Sequence, residues 1–288
     1  MIRAITPWAQ MKTTRGALIA LLALMLCAGC STTTEEGAIG VDRRQLLLVS
    51  SADMDKAAAA QYQSVLKEQS TKGNVNQDPH QTERVRGIAA RLIPQTAIFR
   101  KDALSWKWEV NVLTSSEVNA WCMPGGKIAV YTGIIEKLQM TDDELAAVMG
   151  HEMSHALREH SRERASQEAA TNVGSTLVGI VADIFLPGSG QVGSAVAGTA
   201  GQLAYNLPYS RIQETEADRM GVELAARAGY DPRAAIALWQ KMAKLSSGGE
   251  PLQILSTHPS HETRIKDLTE FAQKVLPLYE QARTKSSP

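Results

Sequence analysis

The strongest chemical signal in the chain is His151-Glu152-Met153-Ser154-His155. On an α-helix the two histidines stand about 40° apart, one turn along the same face, so both rings can converge on a single ion. Two imidazole nitrogens at that spacing make half of a zinc site. Glu152 lies about 100° round from His151, near enough to flank a metal and act as a base without ligating it. Zinc lowers the pKa of a bound water towards neutrality, and a neighbouring carboxylate can take its proton as the water attacks a polarised carbonyl. The bland alternative is a surface helix that happens to carry two histidines and a glutamate.

A third ligand is needed. On a continuous helix His160 lies about 180° from His151 and about 140° from His155, so it faces away. Arg158 and Ser161 stand where the extended three-histidine motif would need Gly and His. Further along, residues 211–227 read as a helix that holds Glu214, Glu216 and Asp218. Glu214 and Asp218 share a face, whereas Glu216 points about 200° away from Glu214. Two carboxylates stacked one turn apart repel unless something positive is near. Zinc with its imidazoles supplies that charge, which makes Glu214 the third ligand and Asp218 an outer group fixing the ring of His151 or His155. A solvated acidic face paired with Arg211 and Arg219 is the plain alternative.

These groups need elements to position them. Thr141 and Glu144 form a capping box, and Leu145, Val148, Met149 and Ala156 supply the apolar stripe of the helix that carries His151 and His155. Before it, Trp106, Trp108, Val110 and Val112 alternate with polar residues, Val118–Cys122 is a second extended run, and Lys127–Thr132 follows the turn Met123-Pro124-Gly125-Gly126. A sheet edge beside a metal can bind an extended peptide through its backbone, and Asn119, Ala120 and Trp121 are the candidates for that edge. A core hairpin fits the same periodicity. Helices are expected over 53–68 and 81–92, from Asp231-Pro232 to about Leu245, and from Arg264 to about Tyr279. The Gly/Ala/Val/Ser-rich stretch 171–210 has no Lys or Arg, but Asp183 and Leu186-Pro187-Gly188 interrupt it. It reads as a cover over the site rather than a membrane span.

A chain of 288 residues with 44% hydrophobic residues can bury one substantial core. Lys plus Arg balance Asp plus Glu at 30 each, without a basic run, which argues against a nucleic-acid partner. Lys12 and Arg15 precede the apolar run Ala17–Leu26, the length of a signal-peptide core. The following Leu26-Cys27-Ala28-Gly29-Cys30-Ser31 resembles a bacterial lipoprotein signal, with Cys27 where Leu is usual. That resemblance implies a lipid on Cys30 and, with no Asp after it, an outer-membrane anchor facing the periplasm; an ordinary secretory signal is the alternative. The expected organisation is a signal segment 1–29, an anchor and tether 30–44, one catalytic domain 45–282 and a tail 283–288. Cys122 has no partner left after lipidation and reads as a small buried hydrophobe in a strand.

Four separated pieces now come together: Asn119-Ala120 with Pro124-Gly125-Gly126, His151-Glu152-Met153-Ser154-His155, Glu214-Thr215-Glu216-Ala217-Asp218, and Thr257-His258-Pro259-Ser260 ahead of Arg264. In order and spacing they resemble the HtpX and CAAX-prenyl-protease type of zinc metallopeptidases, a gluzincin group, over roughly residues 45–275. The resemblance implies an α+β, mainly helical fold, a zincin-like metallopeptidase domain with a small β-sheet beside the active-site helix. It implies one zinc held by His151, His155 and Glu214, Glu152 as general base, and Asp218 behind the ligands. It also puts His258 near the metal, either stabilising an oxyanion or blocking the open position at rest, with helix-entry packing as the plain alternative. The broken stretch 171–210 makes the chain more similar to the periplasmic lipoprotein members, LoiP and BepA among them, than to the membrane-embedded ones. The expectation is an outer-membrane-anchored zinc endopeptidase acting on misfolded or misassembled envelope proteins. Contact with outer-membrane assembly machinery is a further expectation, although the helical repeat of BepA is not legible here. The competing expectation is a chaperone-like assembly factor with a structural or latent zinc.

Overall fold

A computed structural model describes residues 30–171, 208–248, 252–259 and 263–286. The signal segment and residues 172–207, the bulk of the expected cover, lie outside the described residues. The elements in order are β1 (Cys30–Ser31), β2 (Gln45–Leu46), α1 (Ser51–Thr71), α2 (Pro79–Leu92), two 3-10 turns (Ile93–Ile98 and Lys101–Ser105), β3 (Glu109–Leu113), β4 (Ala120–Met123), β5 (Lys127–Tyr131) and α3 (Thr132–Lys137). They continue with α4 (Asp142–Leu157), α5 (160–171), α6 (Arg211–Arg227), α7 (Ala234–Ser247), α8 (Gln253–Thr257) and α9 (Arg264–Ser286). The architecture is mainly helical with small sheets, and among the described residues no helix is long and apolar enough to cross a membrane.

The three-stranded sheet has the order β3-β5-β4, with β3 parallel and β4 antiparallel to β5. Of these three strands the last in sequence is therefore the middle one, and among the described residues β4 is left at an edge. α4 packs on β4 and on α6, the latter the most extensive helix contact among the described residues. Two glycines make that contact possible. A Cβ on Gly150 would lie 2.8 Å from the Gly221 carbonyl oxygen, and one on Gly221 would lie 2.8 Å from the His151 nitrogen. The helices meet backbone to backbone, which brings the His151/His155 face onto the Glu214/Asp218 face.

Two expectations need correction. The segment after Cys30 is not a free tether: β1 pairs with β2, Ile39 and Val41 sit in the main core, and Thr34 and Gln45 are buried. Its apolar pair has a core to enter, and its Arg43 and Gln45 meet the buried carboxylate of Glu163, so the packed body takes in residues 30–44 as well. The helix expected from Pro232 starts at Ala234, because the Asp231 carboxylate accepts from the Arg233 N–H at 2.9 Å and turns the chain first. Cys122 lies buried in β4 and forms no disulfide.

Candidate metal centre and cleft

α4 starts where its capping box puts it. Thr141 Oγ1 accepts from the Glu144 N–H at 3.2 Å, and Glu144 Oε2 accepts from the Thr141 N–H at 2.8 Å. α6 has its own box from Ser210 and Gln213. With both helices fixed in register, His151, His155, Glu214 and His258 converge, all four buried, each offering one donor atom within 4.8 Å of the others.

The separations test whether zinc fits. His151 Nε2 lies 3.1 Å from His155 Nε2, 3.3 Å from His258 Nδ1 and 3.5 Å from Glu214 Oε2. Glu214 Oε1 lies 3.3 Å from His155 Nε2 and 3.1 Å from His258 Nδ1. A tetrahedral zinc with arms of about 2.0–2.1 Å needs donor separations of about 3.3 Å. Two imidazoles, a carboxylate and a third imidazole at these spacings fit one zinc. His258 Nδ1 lies among these donor atoms, so His258 is a fourth candidate donor.

Each inner donor is held from behind. His151 Nδ1–H donates to Asp218 Oδ1 at 2.9 Å, so its lone pair at Nε2 faces the other donors. Arg264, buried under the Trp239 ring at 3.4 Å, donates to Glu214 Oε2 at 2.7 Å and Asp218 Oδ1 at 2.8 Å. This arginine is the cation that lets the two stacked carboxylates coexist. The sequence reading quoted it only as part of a motif, and neither Arg211 nor Arg219 takes that place. Tyr209 was also not anticipated. Its ring stacks on His155 with centroids 3.8 Å apart, and the Arg164 guanidinium lies 3.7 Å from the centre of the same Tyr209 ring.

His160 does not face away. α4 ends at Leu157, Glu159 adopts φ +52°, and His160 opens α5 with Nδ1 2.8 Å from His155 Nδ1. The helix is not continuous there, which is why the angular reading failed. Glu216 does point away from the donors, as its spacing predicts, and its Oε2 lies 3.0 Å from His160 Nε2.

Electrostatics follow burial and these contacts. Burial pushes the Glu152 carboxyl up, with His258 and His151 opposing, and its Oε1 has no hydrogen-bond partner among the described residues. Burial holds His155 well below the usual imidazole range. Burial would raise Glu214, but His258 and His155 bring it well below the usual carboxylate range. Glu216 is likewise opposed by burial, yet the His160 and Arg43 hydrogen bonds bring it to about 2.

One cleft joins these groups to the sheet. Asn119, Ala120, Trp121, Glu152, Tyr209 and His258 line it together, and β4, paired among the described residues with β5 alone, forms one wall. The three edge candidates therefore stand beside Glu152. Asn119 itself precedes the strand, its carbonyl accepting from the Tyr131 N–H at 3.1 Å.

The chain is similar to several curated proteins. It is 40% identical over 164 residues to the mitochondrial metalloendopeptidase OMA1 of Arabidopsis thaliana, covering 57% of this chain and 31% of that one. With OMA1 of Schizosaccharomyces pombe it shares 38% over 166 residues, 57% of this chain and 47% of the other. With the beta-barrel assembly-enhancing protease of Escherichia coli K12 it shares 29% over 211 residues, 71% of this chain and 42% of the other. The chain thus spans less than half the length of each of these relatives. A family model matches residues 79–272, from the first turn of α2 into α9, and so takes in every donor described above. By that match the chain belongs to peptidase family M48.

Proposed function

We propose that this chain is a zinc-dependent endopeptidase of the bacterial envelope, anchored through a lipid on Cys30 in the outer membrane and cutting unfolded or misassembled envelope proteins in the periplasm. The observation that carries the catalytic part is the convergence of His151, His155, Glu214 and His258, with Glu152 and His258 also lining the cleft walled by the edge strand β4. His151, His155 and Glu214 would hold the zinc, with Asp218 and Arg264 fixing them. When bound, the ion supplies the Lewis acidity that polarises a carbonyl and makes water nucleophilic near neutral pH. Glu152, buried with no hydrogen bond to its Oε1 among the described residues, takes a proton from the attacking water and returns it to the departing amine. Residues 119–121 align an extended peptide by backbone pairing, which reads shape more than sequence and suits unfolded substrates.

With His258 as a fourth donor the resting site would be closed, and its Nε2 lies 3.5 Å from Glu152 Oε1. That same observation favours a second reading, a holding factor with a structural zinc, because structural sites are closed by four protein ligands. His258→Ala separates them. A latent enzyme keeps its zinc and cuts casein faster; a structural site loses zinc affinity and gains no cleavage. Slower cleavage with zinc retained would instead make His258 an oxyanion donor.

The cellular part rests on the lipoprotein-like residues 26–31 and on the similarity to a protease named for β-barrel assembly. The OMA1 relatives are mitochondrial by name. Cys30→Ala should move the protein from the outer-membrane fraction to the periplasmic extract, and retention in the membrane would count against the lipid anchor. Co-purification with outer-membrane assembly machinery is a separate expectation of the same reading.

A further inference from the structure

A buried chain of polar contacts behind His155 has no part in the function proposed above. An imidazole that gives its Nε2 lone pair to a metal carries its proton on Nδ1 and has to donate it. The acceptor within reach of His155 Nδ1 is His160 Nδ1 at 2.8 Å. That nitrogen accepts only when the His160 proton is on Nε2. Glu216 Oε2, an acceptor, lies 3.0 Å from Nε2 and selects that tautomer. Glu216 is in turn gripped by the Arg43 fork, Nε to Oε1 and Nη2 to Oε2 both at 2.9 Å. Arg43 also donates to both oxygens of Glu163, at 2.5 and 2.8 Å.

The fold gives this chain its direction. The turn at Arg158 and Glu159 aims His160 back at His155, and the N-terminal segment clamps that turn. Arg158 donates to Thr32 Oγ1 at 2.9 Å and to the Arg43 carbonyl, while Gln45 donates to the Arg158 carbonyl at 2.7 Å. Arg158 and His160 are both fully buried.

The geometry points to His160 as a positioning residue for the zinc ligand His155, held in its working tautomer by Glu216 and, through Arg43, by the segment that follows Cys30. This deepens the proposed function and rests on its assignment of His155 as a ligand. It makes residues 31–45 a working part of the metal centre rather than a tether.

The test uses the mature chain, zinc as the probe in competition with a chromogenic chelator, and the absorption spectrum of the cobalt-substituted protein. His160→Phe keeps a ring in the core and removes both hydrogen bonds; His160→Gln can accept from His155 and donate to Glu216. The Phe variant should bind zinc roughly 10–100-fold more weakly and shift the cobalt bands, the Gln variant should recover most of both, and Arg43→Gln should lose several-fold. A folded His160→Phe with zinc affinity within about twofold of wild type overturns the proposal. Equal losses in Phe and Gln overturn it too, since they report packing alone. If the Phe variant does not fold, Arg43→Gln decides: unchanged affinity and an unchanged cobalt spectrum remove the link to the N-terminal segment. Failure of the underlying assignment looks different, because His155→Ala would then keep its zinc.

Discussion

His151 and His155 sit one turn apart on α4, yet different parts of the molecule hold them. Behind His151 the path is one step long, to Asp218 on α6, with Arg264 of α9 locking the carboxylate. Behind His155 it runs through His160 and Glu216 to Arg43, ahead of every helix described. The difference teaches that helical spacing decides which groups converge, whereas the turns after a helix decide what fixes them. One candidate ligand is backed by the helical core, and the contacts behind the other lead to the N-terminal segment.

The largest effect should come from the donor the two arms share. Glu214→Ala removes a ligand and leaves Arg264 short of a buried partner, so zinc should be lost on dialysis and the zinc-free protein should lose about 3–5 kcal/mol; metal analysis and thermal melts check both. Breaking the short arm comes next. Asp218→Ala should weaken zinc binding by roughly 10–100-fold, more than Arg43→Gln at the far end of the long arm, and calorimetric titration would merge the two arms if the costs were equal. Gly221→Ala strikes both arms together, since its Cβ would press on the His151 nitrogen at 2.8 Å. Overpacking there should cost about 1–3 kcal/mol in melts of the zinc-free protein and weaken zinc for both histidines alike.

The smallest effect is a pH dependence confined to the long arm. Burial would raise Glu163, but hydrogen bonds from Arg43, Gln213 and Gln45 bring it below its ordinary 4.5. A lowered carboxylate contributes stability that is full above 4.5 and lost as pH falls through the folded value. The stability gap between wild type and Glu163→Gln should therefore be constant above that pH and close below it. A gap that widens in acid would mean Glu163 is not held as an anion.

The parts of the site that the sequence made legible are those that follow from helical period alone. His151, His155, Glu214 and Asp218 come together as 3.6-residue spacing says, and Glu216 points away. The parts it hid are non-local. Nothing in Leu157-Arg158-Glu159-His160 is a Gly or Pro breaker, so the positive φ at Glu159 and the return of His160 depend on tertiary partners. Those partners are Arg100 and Ser51, both bonded to the Glu159 carboxylate beside the local Arg162. The edge position of β4 depends on a parallel β3–β5 pairing that alternation cannot reveal. A signal for the close approach of α4 and α6 was present in Gly150 and Gly221, since glycine inside a helix is costly unless backbones touch. For the N-terminal segment the overlooked signal was Ile39 and Val41, two apolar residues in a polar stretch.

The most direct test of a metallopeptidase site is Glu152→Gln in the chain from Cys30 onward, assayed beside wild type for bound zinc and for cleavage of unfolded casein. Glu152 touches the cleft and no described hydrogen-bond donor pairs with its Oε1, so the amide should leave the metal donors in place. Zinc retained at one per chain with cleavage lost is the expected result. Cleavage at the wild-type rate by Glu152→Gln would contradict it.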